Sequence, residues 1–347
     1  MTGEVMLAEI REQGGLTARW AAMGGYDVTA ACRSASELQP DSIVLVARGT
    51  SDNAADLARG LLEILGGFTV ASASPSSITL YGTRPRPGRR LCVAISQSGQ
   101  SPDLIACTEA IRASGALAIV ITNDPASPLA AVADHLIPVD VGVEQAVAAT
   151  KTFLGEALAL HDLATGLSGV QSADRPRLSA AISAVLDDAE GPIADAIDLV
   201  LPALHDRGHL VTLGRGLTTP IAREGALKIM ETTGFPALGY SAADFEHGPV
   251  AIVREGTPVI AVSGPGEPAA SLGLLTERLA ALGACIVGIG PTPLPGISAW
   301  IRVHDCGPTL TPLACVIPLQ LLTHRLALAL GRNPDQPRGL TKVTRTR

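Results

Sequence analysis

The chain has 347 residues, 47% of them hydrophobic and only 3% aromatic, with a formal net charge of −7. That length accommodates two domains, and a hydrophobic fraction dominated by Ala, Val, Ile and Leu suits buried parallel strands under covering helices. The acidic balance, relieved only by the arginines between Arg84 and Arg90, argues against nucleic acid as a partner; no apolar stretch reads as long enough to span a membrane, and the N-terminus lacks a signal-peptide pattern.

Residues 3–24 predict a helix with an apolar stripe at Met6, Ile10, Leu16 and Trp20, broken near Gly14-Gly15. Strands follow at 43–47 and 68–71, with a helix over 52–65 between them. The apolar run 91–95 is a third strand, followed by the loop Ser96-Gln97-Ser98-Gly99-Gln100-Ser101 and a helix over 102–113. A strand at 117–121, a short peripheral one at 136–139 and a long apolar helix over 151–167 complete a first α/β pattern. After a polar stretch at 171–177 and a helix to about Leu199, the pattern restarts at 210–214. Gly49 recurs as Gly216, Ser96 as Ser263 and Ala118 as Ile286, a repeat offset of 167 to 168 residues that predicts an internal duplication. The expected organisation is an N-terminal helical segment (1–30), two doubly wound parallel sheets flanked by helices (31–180 and 181–330) and an ordered C-terminal tail (331–347).

Several stretches carry possible chemistry. The loop 96–101 packs three Ser, a Gln and a Gly between a buried strand and a helix start. It reads either as an ordinary N-capped turn or as an anion loop, in which hydroxyls and backbone N–H groups converge on a phosphate at the positive end of a helix dipole. The second copy has Ser263-Gly264-Pro265-Gly266 there, so one anion site is expected. Glu224, Lys228 and Glu231 fall at i, i+4 and i+7 on one helix face, either as surface ion pairs or with Glu231 as a working acid near the helix end. His247 precedes Gly248-Pro249, either satisfying carbonyls at a helix end or acting in catalysis. The tail from Asn333 to Lys342 is rich in turn residues; it either frays or folds over a site and presents Lys342. No HExxH, P-loop or GxGxxG is present, and no metal or organic cofactor is expected. The six cysteines (Cys32, Cys92, Cys107, Cys285, Cys306, Cys315) form no CxxC pair and read as small buried hydrophobes of a cytoplasmic protein.

In order, Arg48-Gly49-Thr50-Ser51, the 96–101 loop, Ala148-Ala149-Thr150-Lys151, Glu224-Gly225-Ala226-Leu227-Lys228, Glu231, Glu246-His247-Gly248-Pro249 and Asp335-Gln336-Pro337-Arg338 resemble the sugar isomerase (SIS) domain family, in particular the tandem-SIS isomerase half of glucosamine-6-phosphate synthases. The resemblance covers about residues 40–342. It implies that Gly49, Thr50, Ser51, Ser96, Gln97, Ser98 and Ser101 hold a sugar phosphate, with Val147 and Thr341 also at the substrate. It implies Glu231 as the base moving a proton between C1 and C2, Lys228 beside it, and Lys342 on the open-chain sugar. His247 would open the ring from the neighbouring subunit of a homodimer. Aldose–ketose exchange needs such a carboxylate, an acid at the ring oxygen, closure against water and a phosphate handle. Gln100, Ser101 and Ala149 replace the Glu, Thr and Ser usual in this family. No glutaminase domain with an N-terminal Cys nucleophile is seen, so ammonia from glutamine is not expected. The expected activity is isomerising deamination of glucosamine 6-phosphate to fructose 6-phosphate and ammonia. The alternatives are another ketose–aldose isomerase, a fructosamine-6-phosphate deglycase, or a non-catalytic phosphosugar sensor.

Overall fold

The structure, a computed structural model, describes residues 2–171 and 174–342. The chain divides into two compact units. The first-sheet unit holds residues 23–144, 152–171 and 341–342; the second-sheet unit holds 2–22, 145–151 and 174–340.

In chain order the elements are α1 (Glu4–Ala22), α2 (Thr29–Leu38), β1 (Ser42–Val46), α3 (Gly49–Gly66), β2 (Val70–Ser72), α4 (Pro75–Thr79), β3 (Arg90–Ser96), α5 (Pro102–Ala113), β4 (Leu117–Thr122), β5 (His135–Pro138) and α6 (Lys151–Ser168). They continue with α7 (Arg175–Asp188), α8 (Glu190–Arg207), β6 (Leu210–Gly214), α9 (Thr219–Thr233), β7 (Ala237–Ser241), α10 (Ala242–Glu246), β8 (Pro258–Val262), α11 (Glu267–Ala281), β9 (Cys285–Gly290), β10 (Ala299–Arg302) and α12 (Thr311–Ala329).

The first sheet has the order β2-β1-β3-β4-β5, all parallel, and the second β7-β6-β8-β9-β10, also all parallel. Strand for strand the two orders are the same, so the α/β unit is repeated. Cys92 and Ala94 of β3 pack with Val46 and Val120 against Leu104, Cys107 and Ile111 of α5. Val259 and Ala261 of β8 pack with Val211 and Ile286 against Leu272, Leu275 and Leu279 of α11. All six cysteines are free. Burial pushes the Cys92 thiol up to about 12 and the Cys107 thiol to about 11, which keeps them protonated and inert.

Three local expectations change. First, α1 runs unbroken through Gly14-Gly15. Each glycine costs about 1 kcal/mol of helix propensity, but a Cβ at Gly14 would lie 3.1 Å from Leu186 Cδ1, so its absence lets α7 approach. Second, β2 begins at Val70 rather than 68, because Gly67 (φ +63) ends α3 in a left-handed cap, its N donating to Glu63 O (3.1 Å), and Phe68 N also turns back to Leu62 O (3.4 Å). Third, α12 does reach spanning length, with mean hydropathy 1.3 over a window that is 78% buried. It is a core helix of the second-sheet unit.

On α9, a Cβ at Gly225 would sit 2.3 Å from Leu319 Cδ2 of α12, so the glycine sets how closely these helices meet. Gly225→Ala should therefore lower stability by about 1–2 kcal/mol in urea unfolding, despite a propensity gain of about 1 kcal/mol. A neutral or stabilising effect would show that the contact relaxes freely.

His324 of α12 is buried, and its Nε2 lies 2.8 Å from Gly3 O. Burial lowers its pKa, and nearby Arg325 and Arg11 act in the same direction, against the Gly3 bond and Asp335. The folded value lies below the unfolded one, about 6.5, so the contribution is complete above that pH and is lost as pH falls through the folded value. Between pH 7 and 5, Tm should fall more steeply for the native chain than for His324→Gln, which keeps a donor; parallel curves would remove His324 from the acid response.

Candidate active site

In the first-sheet unit, β1 and β3 are neighbours whose following strands pair on opposite sides. Ligands of open α/β sheets bind at such a switch point, at the carboxyl ends of the strands. Two turns meet the requirement here: residues 48–51 open α3 and residues 96–101 open α5. Arg48 bridges them, with its Nε 3.1 Å from Asp103 Oδ2 in the first turn of α5. Gly49 (φ +58) and Gly99 (φ +57) supply the left-handed backbone that both turns need.

Within the loop, Ser96 Oγ accepts from Gly99 N (3.2 Å) and Ser98 Oγ accepts from Gln100 N (3.3 Å). These hydroxyls accept to shape the loop. Ser101 sits at the N-cap of α5, yet its side chain makes no cap bond. Ser51 is buried and donates to Glu156 Oε1 (3.0 Å); Thr50 is half-buried at the start of α3. In the second copy, the Ser263 hydroxyl turns instead to the Ile289 carbonyl (3.4 Å).

Gln97 leads to a residue that the sequence reading missed. Its Nε2 donates to Glu144 Oε2 (2.9 Å), and Glu144 is 5% exposed. The same carboxylate accepts from Thr152 N (3.1 Å), Thr152 Oγ1 (2.9 Å) and Lys342 Nζ (2.8 Å). A buried carboxylate is costly unless its lone pairs are filled, and here they are. Lys342 and Gln97 thus share one anchor within the first-sheet unit, and Thr341 directly precedes Lys342. The available signal was a lone acid, followed by Gln145, in a run from Val141 to Ala149 that is otherwise apolar or small.

In the second-sheet unit, the surface-pair alternative for α9 fails: the Lys228 and Glu224 side chains are 1% and 2% exposed. Lys228 Nζ lies 3.5 Å from Glu224 Oε1 and closer still to Glu231 Oε2. Glu231, at 23%, is the accessible member of the trio. It lines a cavity of about 690 Å³ together with Thr232, Asn333, Gln336, Arg332 and Arg338. Val147 belongs to this unit, half-buried between buried neighbours, and its N–H points to Asp335 O (3.5 Å). The tail is held by its Asp335: Oδ2 accepts from Gly3 N (2.9 Å) and Oδ1 from Met6 N (2.8 Å), supplying the first turn of α1 with a cap from the far end of the chain. His247 is exposed at the end of α10 and is not among the residues lining the Glu231 cavity.

The profile of the SIS domain family matches residues 38–165 and 203–294. This chain belongs to the SIS domain family. The segment carrying α1 and the tail lie outside both matches. A glutamine–fructose-6-phosphate aminotransferase (isomerizing) from Gloeobacter violaceus is 34% identical over 356 residues, covering 97% of this chain and 58% of the relative. The chain thus spans little more than half of that relative's length. Among solved structures, a candidate phosphosugar isomerase from Silicibacter pomeroyi DSS-3 matches with TM-score 0.84 and 32% identity, over 96% of this chain and all of the other. The C-terminal domain of glucosamine-fructose-6-phosphate aminotransferase from Francisella tularensis matches with TM-score 0.83 and 25% identity, over 96% and 98%. The tandem SIS architecture is therefore that of this chain.

The loop geometry is open to test. A Cβ at Gly99 would lie 2.1 Å from Ser127 Oγ, whereas at Gly142 (φ +73) it would meet nothing within 4 Å. Both Gly→Ala changes incur the left-handed penalty of about 1–2 kcal/mol, and Gly99→Ala should cost more by the clash. Equal losses in urea unfolding would show that Ser127 moves aside freely.

Proposed function

We propose that this chain is a phosphosugar isomerase of the SIS type, and that its reaction is the isomerising deamination of glucosamine 6-phosphate to fructose 6-phosphate and ammonia. One observation carries the reading: a buried Lys228 holds Glu231 in place while Glu231 alone of the trio reaches a cavity of substrate size. The likeness to the isomerase portion of aminotransferases supports it.

The assigned roles are those that the resemblance implies, and the chemistry agrees with them. The 96–101 loop with Gly49, Thr50 and Ser51 takes the phosphate as a remote handle, so that its binding energy serves orientation. His247, donated across a homodimer, protonates the ring oxygen and opens the sugar. Glu231 takes the C2 proton and returns it to C1, while the amino nitrogen becomes an imine at C2. Water then adds to C2 and ammonia leaves, so one water is consumed for each ammonia released. Lys342, fixed on Glu144, contacts the open-chain sugar, with Val147 and Thr341 beside the substrate.

One feature favours a second reading. Arg332 and Arg338 line the Glu231 cavity, are exposed, and make no side-chain hydrogen bond or ion pair among the described residues. Two such guanidiniums suit an acidic substituent on the departing amine, as in a fructosamine-6-phosphate deglycase.

The deciding assay is ammonia release from purified protein and glucosamine 6-phosphate, with Glu231→Gln in parallel. The native chain should release ammonia and the variant at least about 100-fold less, the scale of a lost general base. No ammonia from the native chain, but free amine from a carboxylate-bearing fructosamine 6-phosphate, would select the second reading. Neither product would overturn both.

A further inference from the structure

Residues 145–150 form no helix or strand, yet Ala146, Ala148, Ala149 and Thr150 are buried. Irregular backbone in such a place must find partners for its polar groups from elsewhere. Three consecutive N–H groups do so. Gln145 N donates to Glu9 Oε1, Ala146 N to Glu9 Oε2 (3.2 Å) and Val147 N to Asp335 O (3.5 Å). Glu9 lies on α1 and is itself 4% exposed. One turn further along α1, Glu12 Oε2 takes Lys151 Nζ (2.6 Å). Beside it, the fully buried Gln13 donates to Gln320 Oε1 (2.7 Å), whose Nε2 reaches Thr150 O (3.2 Å).

Positions 9, 12 and 13 share one helix face, so a single polar stripe on α1 grips this segment at both ends. Val147 lies between the grips, half-buried. A trans peptide sets its C=O opposite its N–H. With the N–H groups of 146 and 147 drawn toward Glu9 and Asp335, the carbonyls of Gln145 and Ala146 point away from both. The conformation offered at Val147 is thus set by α1. Asp335 joins the same circuit, since its carboxylate caps α1 while its carbonyl receives Val147 N–H. A helix needed only for packing would be served by its apolar positions Met6, Ile10, Leu16 and Trp20. A buried carboxylate spent on two main-chain donors is a costly way to fill space and an effective way to fix a backbone.

We propose that Glu9 of α1 is a positioning residue of the substrate site, holding the backbone immediately before Val147 in the conformation that receives the sugar. This rests on the phosphosugar reading above. α1, although outside the matched SIS segments, is then a working part of the site.

The test uses the full chain with Glu9→Gln, which preserves volume, and with Arg19→Gln on the exposed face of α1 as the control. Two quantities are measured: amide hydrogen exchange across 145–147 and the dissociation constant for fructose 6-phosphate. Glu9→Gln should speed exchange there and weaken fructose 6-phosphate each by about tenfold, the scale of one charge-assisted hydrogen bond, while Arg19→Gln alters neither. Where turnover is measured, the loss should fall on KM rather than kcat, because the contact exists before the chemical step. A fall in Tm with unchanged affinity would overturn the proposal and leave α1 as structural support. Unchanged exchange at 145–147 would overturn it as well. A native chain indifferent to fructose 6-phosphate would instead overturn the phosphosugar reading, and this assignment with it; the native arm tells the two failures apart.

Discussion

Buried main-chain donors must be paired, and much of this structure follows from where they are paired by carboxylates. Regular strands and helices satisfy themselves, so the sheet centres need only apolar side chains. The stretches between them do not. Glu9 serves Gln145 and Ala146, Glu144 serves Thr152, and Asp335 serves the first turn of α1. Each acid meets several donors, which offsets the cost of taking it from water, and each one ties down backbone groups that regular structure leaves unpaired.

Lys228 solves the inverse problem. A buried ammonium needs negative partners, and α9 supplies them from one turn to either side, at Glu224 and Glu231. With both acids ionised, the trio keeps one net negative charge, and its accessible end is Glu231. The arrangement orients one carboxylate toward a cavity without exposing the rest of the cluster. Gly225 contributes by letting α12 close over the same helix, so the packing of two helices and the placement of one acid are a single design.

The central strands were legible because burial on both faces demands unbroken apolar runs: β3, β4, β6 and β8 are buried along most or all of their length. The edge strands were harder. β7 and β10 are only partly buried, and Ala237-Leu238-Gly239-Tyr240-Ser241 has no run to detect. At the site, the Ser-rich loop and the Glu224–Lys228–Glu231 spacing stood out because their meaning is local. Glu9 and Glu144 did not, and Asp335 entered only as part of a tail motif, because most of their partners lie far away in sequence. A carboxylate looks the same on paper whether it faces water or caps a helix 330 residues distant.

That last separation bears on how the chain is made. The first turn of α1 takes its cap from Asp335, and α1 lies against α7 and α12. A ribosome therefore delivers α1 long before its partners exist, and α1 cannot take its final place until Asp335 has emerged. The early helix carries apolar Met6, Ile10, Leu16 and Trp20 through that interval uncovered. Closing so large a loop is slow in entropic terms, which puts the docking of α1 among the last steps of folding. Until that step the backbone around Val147 lacks its ordering partner, even in a nascent chain that has both sheets in place.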